Sequence, residues 1–170
     1  MPAEPTSYDW GVRDRIIRAV AEDIAENGYH AVTIYTITPR AKCGRSRFYR
    51  IFSGKEEALD ATLKAIQYEV EEVLLQATDP ASALADLLTW VDEHRAKAIC
   101  FLVWGVRHPE THEAAIARFV ELSGLPEVQA QLVVGGVAWT VRRKLEGGGM
   151  ASALCDELSR FVQPHYDRQL

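Results

Sequence analysis

RAKCGRSRFYRIFSGKEE, residues 40–57, sets six basic side chains and three aromatic rings in a stretch whose first acid is Glu56. On a helical wheel of residues 45–52, Phe48, Ile51 and Phe52 share one side, while Ser46, Arg47, Tyr49 and Arg50 project elsewhere. One side can therefore pack, and the basic side is left for solvent. Just upstream, the Thr33 hydroxyl can cap a second helix, and Val32 with Ile37 has the spacing of a hydrophobic staple. Pro39 removes a backbone donor and keeps that helix short, and Cys43-Gly44 lies just beyond it. A short helix crossing a preceding one after a tight turn, with Arg, Ser and Tyr exposed, has the form of a helix-turn-helix recognition helix. A solvated basic face is the plainer reading of a charge run, but the capped helices and paired core aromatics favour nucleic acid.

Around that stretch the chain turns acidic. It has 170 residues, 48% hydrophobic and 25% charged, with a formal net charge of -5. Residues 1–57 carry nine Lys or Arg against eight Asp or Glu, and residues 58–170 carry ten against sixteen. Local positive charge matters more to a polyanion than the total does. No apolar run is long enough for a membrane span, and MPAEPTSYDW lacks the flank and core of a secretory signal, so a cytoplasmic protein with no membrane partner is expected. Cys43, Cys100 and Cys155 have no metal-ligand or redox spacing, and no cofactor is expected. HPETH places His108 and His112 one turn apart, but Pro109 starts a helix there and Glu110 is not placed as a general base, so no metal site is expected. Without a phosphate loop, a nucleophile elbow or a carboxylate pair, no enzyme is expected either.

Apolar residues spaced by three and four recur almost from end to end, which predicts an all-α protein. Ile16, Ile17, Val20, Ala21 and Ile24 make one face of a first helix over 10–27, with Gly28 placed to end it as a left-handed C-cap. A third helix runs over 45–52, and Ser53 with Glu56 makes a capping box for a long fourth helix reaching Gln76. At about 1.5 Å per residue that helix spans roughly 33 Å, enough to join two parts of a protein. Pro80, Pro109 and Pro126 each suit a first helical position. The remaining helices are expected over 80–94, 96–106, 109–122, 126–145 and 150–163. This predicts a domain over 1–54 and a second over 55–170.

The run TIYTITPRAKCGRSRFYRIFSGKEEALDATL, residues 33–63, preceded by AEDIAENGYHAV, resembles the DNA-binding domain of the TetR family of bacterial transcriptional regulators. The resemblance rests on Gly28 and Tyr29, on Thr33, Ile37, Arg40 and Ala41, on Phe48, Tyr49 and Phe52, and on Lys55-Glu56. It implies an N-terminal three-helix helix-turn-helix domain, linked by a long helix to a C-terminal helical ligand-binding and dimerisation domain. It also implies that Thr33, Tyr49 and Lys55 contact DNA phosphates. Arg45, Ser46, Arg47 and Arg50 would supply base or further backbone contacts, and Tyr35 joins this DNA-binding set. Three positions depart from the family pattern. Lys42 stands where a turn glycine is usual, which strains a left-handed residue by ~1 to 2 kcal/mol unless the bend moves to Gly44. Pro39 is unusual in the second helix, and Gly54 replaces a serine.

In the C-terminal half, Leu132, Val133, Gly135, Gly136 and Trp139, followed by Leu154, Leu158 and Phe161, resemble the final two helices through which this family dimerises. A helical glycine costs ~1 kcal/mol relative to Ala, so a close helix approach at Gly135-Gly136 would compensate. Family resemblance puts a small-molecule effector near Tyr68, Trp90, His94, Cys100, Phe101, Trp104 and Trp139, although aromatic residues at helical spacing are more often plain core. The expected function is a repressor that binds a palindromic operator in double-stranded DNA as a homodimer and is released by a small molecule. The alternative is a helical ligand-binding or interaction protein with a degenerate DNA-binding head.

Overall fold

The structure, a computed structural model, describes residues 7–104 and 110–166. Among them every regular element is helical. The first is α1 (Ser7–Asn27), whose apolar stripe Ile16, Ile17, Val20, Ala21 and Ile24 is buried. Gly28 follows at φ 76° and ψ 156°, so the chain leaves α1 through a backbone conformation suited to glycine, although its ψ is not that of a left-handed helical C-cap. A single 3-10 turn (Tyr29–Ala31) leads to α2 (Ile34–Arg40). Thr33 caps α2 reciprocally with Thr36, and the staple residues Val32 and Ile37 are both buried. Next come α3 (Arg45–Ile51) and the long α4 (Lys55–Gln76).

The capping of α4 differs from the expected box. Gly54 is the N-cap, so the serine stands one residue too early. Ser53 N and Oγ both donate to Glu57 Oε2 at 2.7 Å, and Glu56 instead accepts from the Tyr29 hydroxyl at 2.5 Å. α4 packs against α1 and continues to reach later helices.

Beyond it, Asp79 caps α5 (Pro80–Glu93), accepting from Ala81 N and Ser82 N, with Pro80 in the first turn. His94, at φ -118° and ψ 40°, separates α5 from α6 (Arg95–Ile99). The single helix expected over 96–106 is divided, because a π-helical turn (Cys100–Trp104) replaces the α pattern after Ile99. Then follow α7 (Glu110–Ser123), α8 (Glu127–Glu146), a 3-10 turn (Ser152–Leu154) and α9 (Cys155–Tyr166). Pro126 is the N-cap of α8 and not its first residue. Pro109 and His108 lie outside the described residues, as do the side chains of Trp104 and His112.

The later helices form a bundle in which α5 meets α9, α7 meets α8, and α4 meets α5 and α7. α6 leans on α1, so a contiguous apolar core runs from Val12 to Val162. The turn after α8 is gripped by two side chains near the end of α5. Arg95 donates to Leu145 O at 2.7 Å and Gly149 O at 2.8 Å, while the Asp92 carboxylate accepts from Ala151 N at 2.6 Å and Ser152 N at 2.9 Å. Backbone groups that a helix end leaves without partners are satisfied in this way.

Candidate nucleic-acid interface and interior cavity

Three side-chain contacts tie α2 to α1. Asp23, 1% exposed on α1, accepts from Asn27 Nδ2 at 2.9 Å and from Thr36 Oγ1 in the first turn of α2. At the other end of α2, Arg40 reaches back to α1 and pairs with both carboxylate oxygens of Glu26, at 2.9 and 2.5 Å. The hydrogen bonds to Arg40 hold the Glu26 carboxyl below its ordinary range. Arg15 Nε donates to Ala41 O at 3.1 Å, closing the end of α2. Phe48 and Phe52 then seat α3, both buried with ring centroids 5.9 Å apart.

The turn between α2 and α3 retains the strain that a shift of the bend to Gly44 would have relieved. Lys42 has φ 50°, whereas Gly44 is extended at φ -80° and ψ 157°. Lys42 N donates to Pro39 O and Cys43 N to Thr38 O, each at 3.0 Å. These two bonds form a Schellman motif with Lys42 at the position where glycine is usual. Pro39 is accommodated because it sits in the last turn of α2, where the helix is already ending.

This scaffold leaves a basic and aromatic surface. Thr33, Tyr35, Arg45, Ser46, Tyr49 and Arg50 are exposed, Tyr35 by 70% and Tyr49 by 56%. Arg47 is half-buried, because its position on α3 lies nearer the packed side than the wheel alone indicates. Arg45 is joined to α2: its guanidinium lies over the Tyr35 ring, and Nη1 donates to the Tyr35 hydroxyl at 2.9 Å. Lys55, half-buried at the start of α4, has its ammonium 4.5 Å from the Tyr29 ring centroid. Its place in the first turn adds the helix dipole to its own charge, a combination that favours phosphate. Tyr29 and Arg40 hold this surface in place, and both follow from residue types readable in the sequence, though their partners Glu56 and Glu26 do not.

The second feature is a partly open apolar cavity of about 110 Å3 lined by α4 to α9. Of the expected effector residues, Trp90 and Phe101 line it. His94 stacks on Trp90, with centroids 5.1 Å apart, but stands behind it. Cys100 is fully buried next to the lining, and burial pushes its thiol up to about 12. Tyr68 and Trp139 are 64% and 61% exposed and do not reach the space. Helix phase is the reason: Tyr68 precedes the lining residue Val70 by two, and Trp139 precedes Val141 by two, so each points to the opposite side of its helix. The walls missed in the sequence are aliphatic, among them Leu84, Leu88, Val133 and Val137.

α8 has a second, outward apolar side. Val128, Leu132 and Trp139 are 68%, 72% and 61% exposed, and Phe161 of α9 is 52% exposed. A Cβ added at Gly135 or Gly136 would meet nothing within 4 Å, so no close approach among the described residues accounts for the two glycines. Leu158 is buried against the core and Leu154 is half-buried on it, so these two do not belong to the exposed side.

The comparisons agree with this geometry. The family pattern of bacterial regulatory proteins, tetR family, matches residues 16–62. No curated protein sequence matches the chain. Among solved structures, a TetR-like transcriptional regulator from Rhodococcus sp. RHA1 superposes with a TM-score of 0.70 at 19% identity, over 87% of this chain and 93% of its own. The fatty acid degradation regulator FadR from Bacillus halodurans gives 0.71 at 18% identity, over 88% and 96%. The dihydroxyacetone kinase operon activator DhaS gives 0.64 at 16% identity, over 92% and 96%. The capped helix-turn-helix thus lies inside the segment that matches the tetR-family pattern, and over most of its length the chain shares the helical fold of these TetR-like regulators.

Proposed function

We propose that the chain is a repressor that binds a palindromic operator as a homodimer and leaves it when a small molecule occupies the cavity. The observation that carries the DNA part of this reading is the exposed set Arg45, Ser46, Tyr49 and Arg50 on a helix seated by Phe48 and Phe52. Arginine can bond bidentately to guanine in the major groove, while Thr33, Tyr49 and Lys55 supply phosphate contacts that fix register. Residues 1–54 act as the reading head, and residues 55–170 act as the regulatory and pairing part. The chain acts by binding and not by catalysis, in the cytoplasm where its DNA lies.

One short recognition helix makes few contacts, and a two-fold pair doubles them. Supporting a second copy of this chain as the partner is the outward side of α8 and α9, with Leu132, Gly135, Gly136, Trp139 and Phe161, where large apolar groups flank two glycines that leave room for a helix. The left-handed Lys42 turn and the terminal place of Pro39 weigh against a degenerate head, since both departures are absorbed within a helix-turn-helix.

The test is a titration with duplex DNA fragments selected from a genomic pool, at several salt concentrations. Log affinity is expected to fall with log salt by about 0.9 per phosphate contacted, with a strong preference for a two-fold symmetric site. Sedimentation of the wild type and of Leu132→Asp is expected to give a dimer and a monomer. Salt-independent binding, or a monomeric wild type at micromolar concentration, overturns the reading.

A further inference from the structure

Among the described residues that line the cavity, Arg118 of α7 is the sole charged one, and the rest are apolar. Its guanidinium is committed elsewhere. Nε donates to Leu74 O at 3.2 Å, Nη2 to Ala77 O at 3.0 Å and Nη1 to Glu121 Oε2 at 3.0 Å, so Arg118 fastens α7 to the last carbonyls of α4. A second, more open depression that shares Leu74 and Arg118 is bordered by Glu71 and Glu121, which sets two carboxylates against one guanidinium there. A ligand hydroxyl, amide or carboxylate carried inside would give up its hydrogen bonds to water and meet at most the single indole N–H of Trp90 besides the committed Arg118, which is unfavourable. An anionic head stopped at the rim would have to displace Glu121 from Arg118 and sit near Glu71.

From this chemistry we infer that the cavity takes an uncharged molecule whose buried body is hydrocarbon, an aliphatic chain or fused aromatic rings, and that it discriminates against the matching carboxylate. The inference rests on the reading of the chain as ligand-responsive and narrows it to a ligand class. A hydrocarbon body gains by leaving water in proportion to its apolar area, and the lining residues Leu84, Leu88, Phe101 and Val137 supply contact on several sides.

The experiment uses the full chain and N-phenyl-1-naphthylamine, a neutral probe that brightens in apolar surroundings. Saturable brightening is expected, reversed by 1-dodecanol at a concentration about tenfold below that needed with dodecanoate at about pH 8, where the acid is ionised. Leu87→Trp and Val137→Trp, which add bulk to the lining, are expected to weaken probe binding about tenfold while circular dichroism stays helical. If both variants unfold, the order of alcohol and acid on the native protein decides. Absence of saturable binding, or dodecanoate displacing as well as dodecanol, overturns the inference. Duplex affinity is measured in parallel with and without dodecanol: an unchanged affinity removes the effector role proposed above, while the displacement order still supports the ligand class.

Discussion

The Arg45 guanidinium lies 4.9 Å from the centroid of the Tyr35 ring and bonds the Tyr35 hydroxyl, tying the first residue of α3 to the exposed side of α2. If Arg45 contacts DNA as proposed, the pair restricts its long side chain beforehand, so less freedom is lost on binding. Tyr35→Phe keeps the ring beneath the cation and removes the hydrogen bond, whereas Tyr35→Ala removes both. Duplex affinity measured by fluorescence anisotropy is expected to fall in the order wild type, Tyr35→Phe, Tyr35→Ala. Arg45→Ala should lose about 1 to 3 kcal/mol, the range of a base-edge contact. An Arg45→Ala variant that binds like wild type would remove Arg45 from the interface.

Lys42 holds a positive φ at a position where glycine carries no Cβ penalty. Lys42→Gly is therefore expected to raise the free energy of unfolding by about 1 kcal/mol, and Lys42→Val to lower it by at least as much. Urea denaturation read by circular dichroism measures both, and the loss of one positive charge near the turn is controlled with Lys42→Asn, which also tolerates the conformation.

Asp23 is 1% exposed and bridges α1 to the capping box of α2. Asp23→Ala leaves the Thr36 hydroxyl and the Asn27 amide without this acceptor, with an expected loss of about 2 kcal/mol of stability. Thr33→Ala, which removes the cap itself, should cost about 1 kcal/mol. The double variant is expected to lose less than the sum, since both act on the same turn.

Acid should loosen the fold from several places at once. Arg40 holds Glu26 below its ordinary range, the Ser53 backbone N–H does so for Glu57, and the Ser82 backbone N–H for Asp79. For Asp92 burial pushes upward, but hydrogen bonds from Ser152 and Ala151 and the charge of Arg95 outweigh it. A folded-state pKa below the unfolded one gives stability that is full above the unfolded value, about pH 4, and is lost as pH falls through the folded value. The melting temperature should stay level from about pH 7 to about pH 5 and drop below about pH 4. Asp92→Asn should melt lower at neutral pH and show a shallower acid limb.

Thiol chemistry reads the core directly. Burial pushes the Cys100 thiol up to about 12, and it raises Cys43 as well, against the opposing charges of Arg15 and Arg47. Since the thiolate is the reactive form, Cys100 should resist a disulfide reagent until the chain unfolds, while half-buried Cys43 and Cys155 react earlier. Mass spectrometry of the labelled peptides gives the order.

The helices were legible because periodicity and caps are local. Thr33, Asp79, Pro80 and the stripe Ile16 to Ile24 are read within a few residues of themselves. The errors arose where a position depends on something distant. The partner of Ser53 moved to Glu57 because Gly54 became the cap, and the π turn at Cys100–Trp104 has no local signature. The basic side of α3 was readable from spacing, apart from the half-burial of Arg47. The cavity was not, since Leu88 and Val137 carry no mark that separates a wall from a core, and Tyr68 and Trp139 drew notice by residue type while their helix phase turned them outward.

α8 is a partition one helix thick. Val133, Val137 and Val141 border the hollow on one side, and Leu132 and Trp139 stand in water on the other. If a guest fills the hollow and a second copy covers the outer side, as proposed above, both act on this one helix and the two equilibria are thermodynamically linked. The factor by which a guest alters self-association must then equal the factor by which self-association alters the grip on the guest.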